Sequence, residues 1–227
     1  RLRTMTGEMA DPYDSFGYIE EKLKAGGCDA IFFFPTGDQG EYDHNPPFRD
    51  HEYGLIIRKY DSLFGSGLHS SYRSAGRLKT LKMEAERFTA ITGHHADKVR
   101  QHWLLLNMPD TYREFGEAGF RNDYTMGFHD EPGFRAGIAR PFPFYDLMKE
   151  TITSLTVVPF QVMDVTLRQY MHLQPAAALE VVSSLITATR KVGGLFVSIW
   201  HNTSLNEGNG WEGWRHVFEE MLDMQKP

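Results

Sequence analysis

Histidine and arginine side chains follow several apolar, strand-like runs of this sequence. His69, the pair Arg100 and His102, and His201 each come directly after such a run. A neutral imidazole in this position can ligate Zn²⁺ or transfer a proton near neutral pH, and a guanidinium can bind a carboxylate. Side chains that follow parallel strands gather at the carboxyl end of a sheet or barrel. We therefore expect His69, Arg100 and His201 to line one concave mouth.

Each of these residues also has a structural interpretation. His69 alone is more typical of a hydrogen-bonded loop histidine, and Arg100 with His102 fits a surface salt bridge equally well. For His201, proton transfer is favoured over a structural role, because it follows the buried run 195–200 and Trp200 would form the wall of a pocket.

Two polar segments carry weaker signals. Asp43-His44-Asn45 lies in a long polar loop, for which metal binding is an alternative but solvated turn chemistry is favoured. Arg135 stands between Gly133 and Gly137, which indicates a close backbone turn and an arginine able to bind substrate or a carboxylate.

Length and composition indicate one globular domain over residues 1–227. A net charge of -6 without a Lys/Arg cluster argues against a nucleic-acid partner. The apolar runs are too short to span a bilayer, which takes about 20 residues. Cys28 is the single cysteine, so an internal disulfide and a thiolate metal site are excluded. With no signal-peptide pattern, this favours a cytoplasmic over a secreted protein, and it leaves the oligomeric state open.

Helical and strand-like segments alternate along the chain. Apolar spacing and end signals predict helices over residues 14–24, 50–64, 78–92, 110–118, 175–189 and 214–224. The strand-like runs are residues 29–34, 67–68, 157–163 and 195–200. This alternation predicts an α/β fold built from parallel strands.

The order and spacing of the polar signatures carry more information than any one of them. In chain order they are Asp11-Pro12-Tyr13-Asp14, Phe32-Phe33-Phe34, Gly67-Leu68-His69-Ser70, Arg100-Gln101-His102, Gly119-Phe120, Asp123-Tyr124-Thr125-Met126-Gly127, Gly133-Phe134-Arg135-Ala136-Gly137 and Trp200-His201-Asn202. Together they resemble a divergent bacterial branch of the polysaccharide deacetylase (NodB-homology) family, over residues 11–214.

The resemblance implies an α/β fold of the distorted (β/α)7 barrel type, incomplete at its N-terminus, and hydrolysis of an N-acetyl group or acetyl ester of a glycan. In that chemistry a divalent metal such as zinc activates water, a carboxylate takes a proton and a histidine donates one. It implies that His201 is the catalytic histidine, that Arg100 orients the base, that Asp123 supports the site and that His69 ligates the metal. With a glycan or small acetylated substrate as the partner, the substrate-binding candidates are Arg135, Trp200, His102 and Tyr72.

Two departures from the family pattern concern the metal. The family's second metal histidine usually stands four residues after the first, where this chain has Arg73, a cation that cannot ligate. The strand ending in paired aspartates does not precede Asp11. Since catalytic zinc usually keeps about three protein ligands, we expect no metal in the chain as given, with His102 or His44 as less favoured substitute ligands.

These departures leave two functions open. One is a hydrolase whose aspartate motif lies upstream of Arg1 in a longer protein. The other is a catalytically inactive carbohydrate-binding or structural relative, in which a sugar stacks on Trp103, Trp200, Trp211 and Trp214. For at least two of these tryptophans, ordinary packing is favoured over sugar contact.

Overall fold

The computed structural model describes Asp11 and residues 13–226. Two positions that the sequence analysis used, Arg1 and Pro12, lie outside the described residues. Contacts divide the described chain into two compact units. The sheet unit is Ala30–Gly127 with Phe134–Phe160, and the helical unit is Phe128–Gly133 with the described residues before Ala30 and after Phe160. A single domain over residues 1–227 stays a prediction.

Helices and strands alternate over most of the described chain. In chain order the elements are α1 Phe16–Gly26, β1 Phe32–Phe34, α2 His51–Phe64, β2 Ser66–Ser70, α3 Leu78–Thr92, β3 Lys98–Gln101, α4 Asp110–Glu117, β4 Asn122–Asp123, β5 Phe142–Asp146, β6 Thr151–Val157, β7 Val162–Met163, α5 Pro175–Lys191, β8 Ser198–Ile199 and α6 Trp214–Met224. Short helical turns follow β2, β3, β7 and β8.

The sheet unit contains a six-stranded sheet in the order β1-β2-β3-β4-β6-β5. All neighbours pair in parallel except β5, which pairs antiparallel with β6 at the edge. The register of β2 and β3 places His69 directly opposite Arg100. Two residues that the sequence separates by a whole helix therefore become neighbours.

The core of the sheet unit forms where apolar strand residues meet apolar helix faces. Leu68 and Val99 of adjacent strands are fully buried, as are Ile57 of α2 and Phe88 of α3. Burying each such side chain contributes roughly 1.5–3 kcal/mol. The strands are held in place by this core, and their carboxyl ends are left to carry polar side chains.

The helical unit is built from α1, α5, α6 and a two-stranded parallel sheet. β7 and β8 pair with Met163 opposite Ile199. The buried apolar residues of the helices include Leu23 of α1, Val182 of α5 and Val217 of α6. The pairing of β7 with β8 fixes the distance between the residues that follow the two strands.

The predicted mixed α/β fold with a parallel sheet is confirmed, and closure into a seven-stranded barrel stays a prediction. The helices over 78–92 and 214–224 have the predicted bounds. The strand predicted over 157–163 is wrong as one element: it is split into β6 and β7, because Pro159 has no N–H for a sheet ladder. The run 195–200 contributes only β8, since its partner β7 is two residues long. No helix among the described residues is long and apolar enough to cross a membrane.

Candidate functional site

His69 and Arg100 lie side by side at the carboxyl ends of β2 and β3. Nδ1 of His69 is 2.9 Å from the carbonyl oxygen of Arg100. The Arg100 side chain donates from Nε to the carbonyl of Tyr124 at 3.2 Å, and its guanidinium carbon lies 4.2 Å from the ring centroid of Phe33. These two contacts hold the Arg100 side chain in a fixed position, which a residue that orients other groups requires.

His102 forms a close pair with Asp43. Its Nδ1 lies 2.8 Å from Oδ1 of Asp43, and its ring meets that of His69 with centroids 4.9 Å apart. Oδ1 of Asp43 also accepts a hydrogen bond from the backbone N–H of Tyr72 at 2.9 Å. Oδ2 of Asp43 is buried and has no hydrogen-bond partner in the described structure.

The expectation of a solvated turn at Asp43-His44-Asn45 is wrong for two of the three residues. Asp43 and Asn45 are buried, while His44 is exposed. Asp43 is held by His102 and Tyr72, and Asn45 donates from Nδ2 to the carbonyl of Gly37 at 3.0 Å. Hydrogen bonds of this kind offset the cost of burying polar groups, so the loop is anchored rather than solvated.

Asp123 lies inside the sheet unit, where its side chain is fully buried. Its oxygens accept from the hydroxyl of Tyr112 and from the backbone N–H of Thr125, each at 3.0 Å. Burial raises the pKa of Asp123 to about 6, while its hydrogen bonds and the charge of Arg100 act in the opposite direction. This position suits the supporting role that the resemblance implied, and its part in catalysis stays a prediction.

Arg135 occupies the turn that the sequence predicted between two glycines. Gly133 and Gly137 have φ angles of 147° and 66°, which glycine adopts readily. Nη1 of Arg135 donates to the carbonyl of Gly127 at 3.0 Å. The close turn is confirmed, and substrate binding by Arg135 stays a prediction.

His201 in the helical unit is paired with Asp164, a residue that the sequence analysis missed. Nδ1 of His201 lies 2.8 Å from Oδ1 of Asp164, and the backbone N–H of His201 donates to Oδ2 at 2.7 Å. Asp164 follows β7 and His201 comes two residues after β8, and these strands pair. Asp164 directly follows the apolar run 157–163. The signal that singled out the histidines, a polar residue directly after an apolar run, could therefore have identified it.

Trp200 packs against α6. Its Nε1 donates to the sulfur of Met221 at 3.4 Å, and its ring contacts Trp214 and Phe218 with centroids 6.5 Å and 5.2 Å away. These contacts hold the strand end from which His201 projects. Substrate binding by Trp200 stays a prediction.

The described donor groups do not fit a catalytic metal. Over Asp11 and residues 13–226, no three His, Cys, Asp or Glu side chains are grouped so that they could hold a metal ion. Nδ1 of His69 and Nδ1 of His102 each take part in a hydrogen bond, which leaves Nε2 of each ring as the nitrogen that could bind a metal, and Arg73 is exposed. The role of His69 as a metal ligand stays a prediction. The common mouth expected for His69, Arg100 and His201 also stays a prediction, because these residues belong to different units.

Comparison with known proteins gives a likeness of fold. No protein-family model and no curated protein matches the sequence. The crystal structure of a "putative polysaccharide deacetylase" from Mycobacterium smegmatis is similar, with a TM-score of 0.62 and 18% sequence identity over 98% of this chain and 78% of that chain. A 4-alpha-glucanotransferase from Thermococcus litoralis has a TM-score of 0.57 and 15% identity over 95% of this chain and 34% of its own. The predicted relation to polysaccharide deacetylases is confirmed at the level of fold.

Proposed function

We propose that the protein is a hydrolase that removes an acetyl group from a glycan, at an N-acetyl or an acetyl ester position. The observation that carries the proposal is the pair of His201 with the buried carboxylate of Asp164. The fold likeness to the Mycobacterium smegmatis protein supports the choice of reaction. The proposal includes the finer fold of such enzymes, a distorted (β/α)7 barrel.

The chemistry requires a proton for the leaving group. Water adds to the acetyl carbonyl, the C–N or C–O bond breaks, and the sugar nitrogen or oxygen takes up a proton from the histidine. Of the two protons of the water, one restores the histidine and the other leaves with acetic acid, which ionises in solvent. A histidine is suited to donate this proton near neutral pH. The side chain of His201 is 42% exposed, which allows a substrate to reach it.

Asp164 determines which ring nitrogen of His201 donates the proton. A carboxylate can only accept a hydrogen bond, so Nδ1 carries the hydrogen that faces Asp164. The proton exchanged with substrate is then the one at Nε2. Asp164 also stabilises the positively charged imidazolium, as in other histidine–carboxylate pairs.

No step of the proposal passes through a metal. The resemblance implies a divalent cation such as zinc with His69 as a ligand, but the described donors do not fit one. Arg100, beside His69 in the sheet unit, keeps its proposed role of orienting the base.

The test is acetate release from acetylated chitin oligosaccharides and acetylated xylan. His201→Ala should lower kcat by roughly 10²–10⁴-fold and change KM much less, because a proton donor acts mainly in the transition state. His216→Ala is the matched control, since His216 lies on α6 in the same unit with a 62% exposed side chain. Full turnover by His201→Ala, or no acetate release by the unchanged protein, would refute the proposal.

A catalytically inactive carbohydrate-binding relative is the second candidate. It is supported by Arg73, a cation that cannot ligate, at the position where the family's second metal histidine usually stands. It predicts glycan binding without acetate release in the same assay. Acetate release that depends on His201 would eliminate it.

A further inference from the structure

A short segment that precedes α1 is hydrogen-bonded to the residue that follows His201. We call this segment, residues 13–15, the 13–15 strap. Nδ2 of Asn202 donates to the carbonyl oxygen of Tyr13 at 2.7 Å, and Oγ of Ser15 donates to the carbonyl oxygen of Asn202 at 2.6 Å. All of these residues belong to the helical unit. Asn202 is therefore tied to the strap through both its side chain and its backbone.

The hydroxyl of Ser15 is used for Asn202 and not for its own helix. Ser15 is the N-cap residue of α1, where a serine usually accepts a hydrogen bond from a backbone N–H of the first turn. Its side chain makes no such bond here. A cap of this kind is worth roughly 0.5–2 kcal/mol. A local preference that is given up for a distant contact is typical of a functional site.

The 13–15 strap is a formed turn before Asn202 reaches it. The backbone N–H of Tyr13 donates to Oδ1 of Asp11 at 2.9 Å, and the backbone N–H of Asp14 donates to the carbonyl oxygen of Asp11 at 3.0 Å. Aspartate side chains commonly stabilise turns in this way. The carbonyl oxygen that Asn202 contacts is thus held in place by its own segment.

His201 is fixed on both sides of its backbone. Asp164 accepts from its backbone N–H and contacts Nδ1 of its ring. Its carbonyl oxygen accepts from the backbone N–H of Ser204 at 3.0 Å, and the next residue is Asn202. Because the side-chain rotamer of a residue depends on its backbone, the bonds to Asn202 affect where the ring of His201 points.

We propose that Asn202 is a positioning residue for His201, and that the 13–15 strap holds Asn202 in place through Ser15 and Tyr13. A displacement of about 1 Å at a catalytic group can lower the rate about a hundredfold. The effect on rate rests on the proposed function. The geometry of the His201–Asp164 pair, by contrast, can be measured without any activity.

The kinetic test uses Asn202→Ala and Ser15→Ala. Each should lower kcat for acetate release by roughly ten- to a hundredfold and change KM much less. Ser15→Ala removes a single oxygen and leaves Asn202 itself intact, so it carries the test if Asn202→Ala does not fold. Ser184→Ala is the matched control, because Ser184 is an exposed serine on α5 in the same unit.

Two measurements separate positioning from general stability. The double variant His201→Ala with Asn202→Ala should be no slower than His201→Ala alone, because Asn202 acts through the histidine. The ¹⁵N spectrum of the His201 ring should show hydrogen at Nδ1 in the unchanged protein and in Ser184→Ala, and a mixture of tautomers in Ser15→Ala. Thermal unfolding of each variant checks that it is folded.

The proposal is overturned if the spectrum of His201 is the same in Ser15→Ala and Asn202→Ala as in the unchanged protein. It is also overturned if the kcat losses of His201→Ala and Asn202→Ala multiply in the double variant. A changed spectrum in a protein that releases no acetate would refute the proposed function alone.

Discussion

Nδ1 of His201 lies 2.8 Å from Oδ1 of Asp164, a carboxylate whose side chain has no exposed surface. The other oxygen of the same carboxylate accepts from the backbone N–H of His201. One buried group therefore fixes both the ring and the backbone of the histidine. Asp43 holds the ring of His102 in a similar way, with an Nδ1 to Oδ1 distance of 2.8 Å and a side chain that is 3% exposed, but the backbone N–H that it accepts from is that of Tyr72.

Asp164→Asn should lower kcat for acetate release by roughly 10²–10⁴-fold, the usual contribution of general acid–base catalysis. An amide carries no charge to stabilise the imidazolium and can donate towards Nδ1, which favours the wrong tautomer. Steady-state kinetics measure the loss. The ¹⁵N spectrum of the His201 ring reports the tautomer and should change with it.

The double variant Asp164→Asn with His201→Ala shows whether the two residues act together. We expect it to be no slower than His201→Ala alone, because Asp164 acts through the histidine. Asp223→Asn is a matched control, since Asp223 is 60% exposed in the same unit. If the kcat losses of the two single variants multiply in the double variant, Asp164 acts through general stability and not through His201.

Purified protein dialysed against zinc should retain well under one zinc per chain, as measured by elemental analysis. The reason is that no three His, Cys, Asp or Glu side chains of the described residues are arranged so that they could hold a metal ion. Stoichiometric zinc that is lost in His69→Ala but kept in His44→Ala would contradict this expectation. It would establish His69 as a ligand.

The helices were predictable because their signals are local. Leu78–Thr92 has its buried residues at helical spacing and ends at Gly93, whose φ angle is 84°. The hairpin of β5 and β6 escaped prediction, since Pro143 lies within β5. Proline is tolerated there because β5 is an edge strand, and a strand's place in the sheet is not a local property.

The histidines of the candidate site were predictable and their partners were not. His201 is marked by the apolar run before it, whereas Asp164 is 37 residues away and meets it through the pairing of β7 with β8. Asp43 is 59 residues from His102. Such pairs depend on which strand ends become neighbours, which residue spacing alone does not specify.

Arg113 should stabilise the fold at neutral pH but not in acid. Nε and Nη2 of Arg113 donate to the two oxygens of Asp146 at 2.7 Å and 2.8 Å, which lowers the pKa of Asp146 to about 2. Because an unfolded aspartate has a pKa of about 3.9, the stabilisation is present above that pH and is lost as the pH falls from about 4 to about 2.

Arg113→Met should therefore lower the thermal midpoint much more at pH 7 than at pH 2. Arg121→Met is the control, because Arg121 is exposed in the same unit. Calorimetry at several pH values measures both. An equal loss at pH 7 and pH 2 would show that Arg113 acts by packing and not by its ion pair.

Asp123 should give the opposite pH dependence. Its pKa is raised to about 6 by burial, so between about pH 4 and pH 6 the native state holds a proton that the unfolded state has released. The free energy of unfolding should fall over that interval, by about 3 kcal/mol for a shift of this size, and level off above it. Asp123→Asn does not ionise and should lose this part of the pH dependence, while Tyr112→Phe should enlarge it, since the Tyr112 hydroxyl stabilises the charged form. Urea unfolding of the three proteins from pH 4 to pH 8 measures the difference, and identical slopes in the original protein and Asp123→Asn would show that Asp123 ionises in the folded state as it does in the unfolded chain.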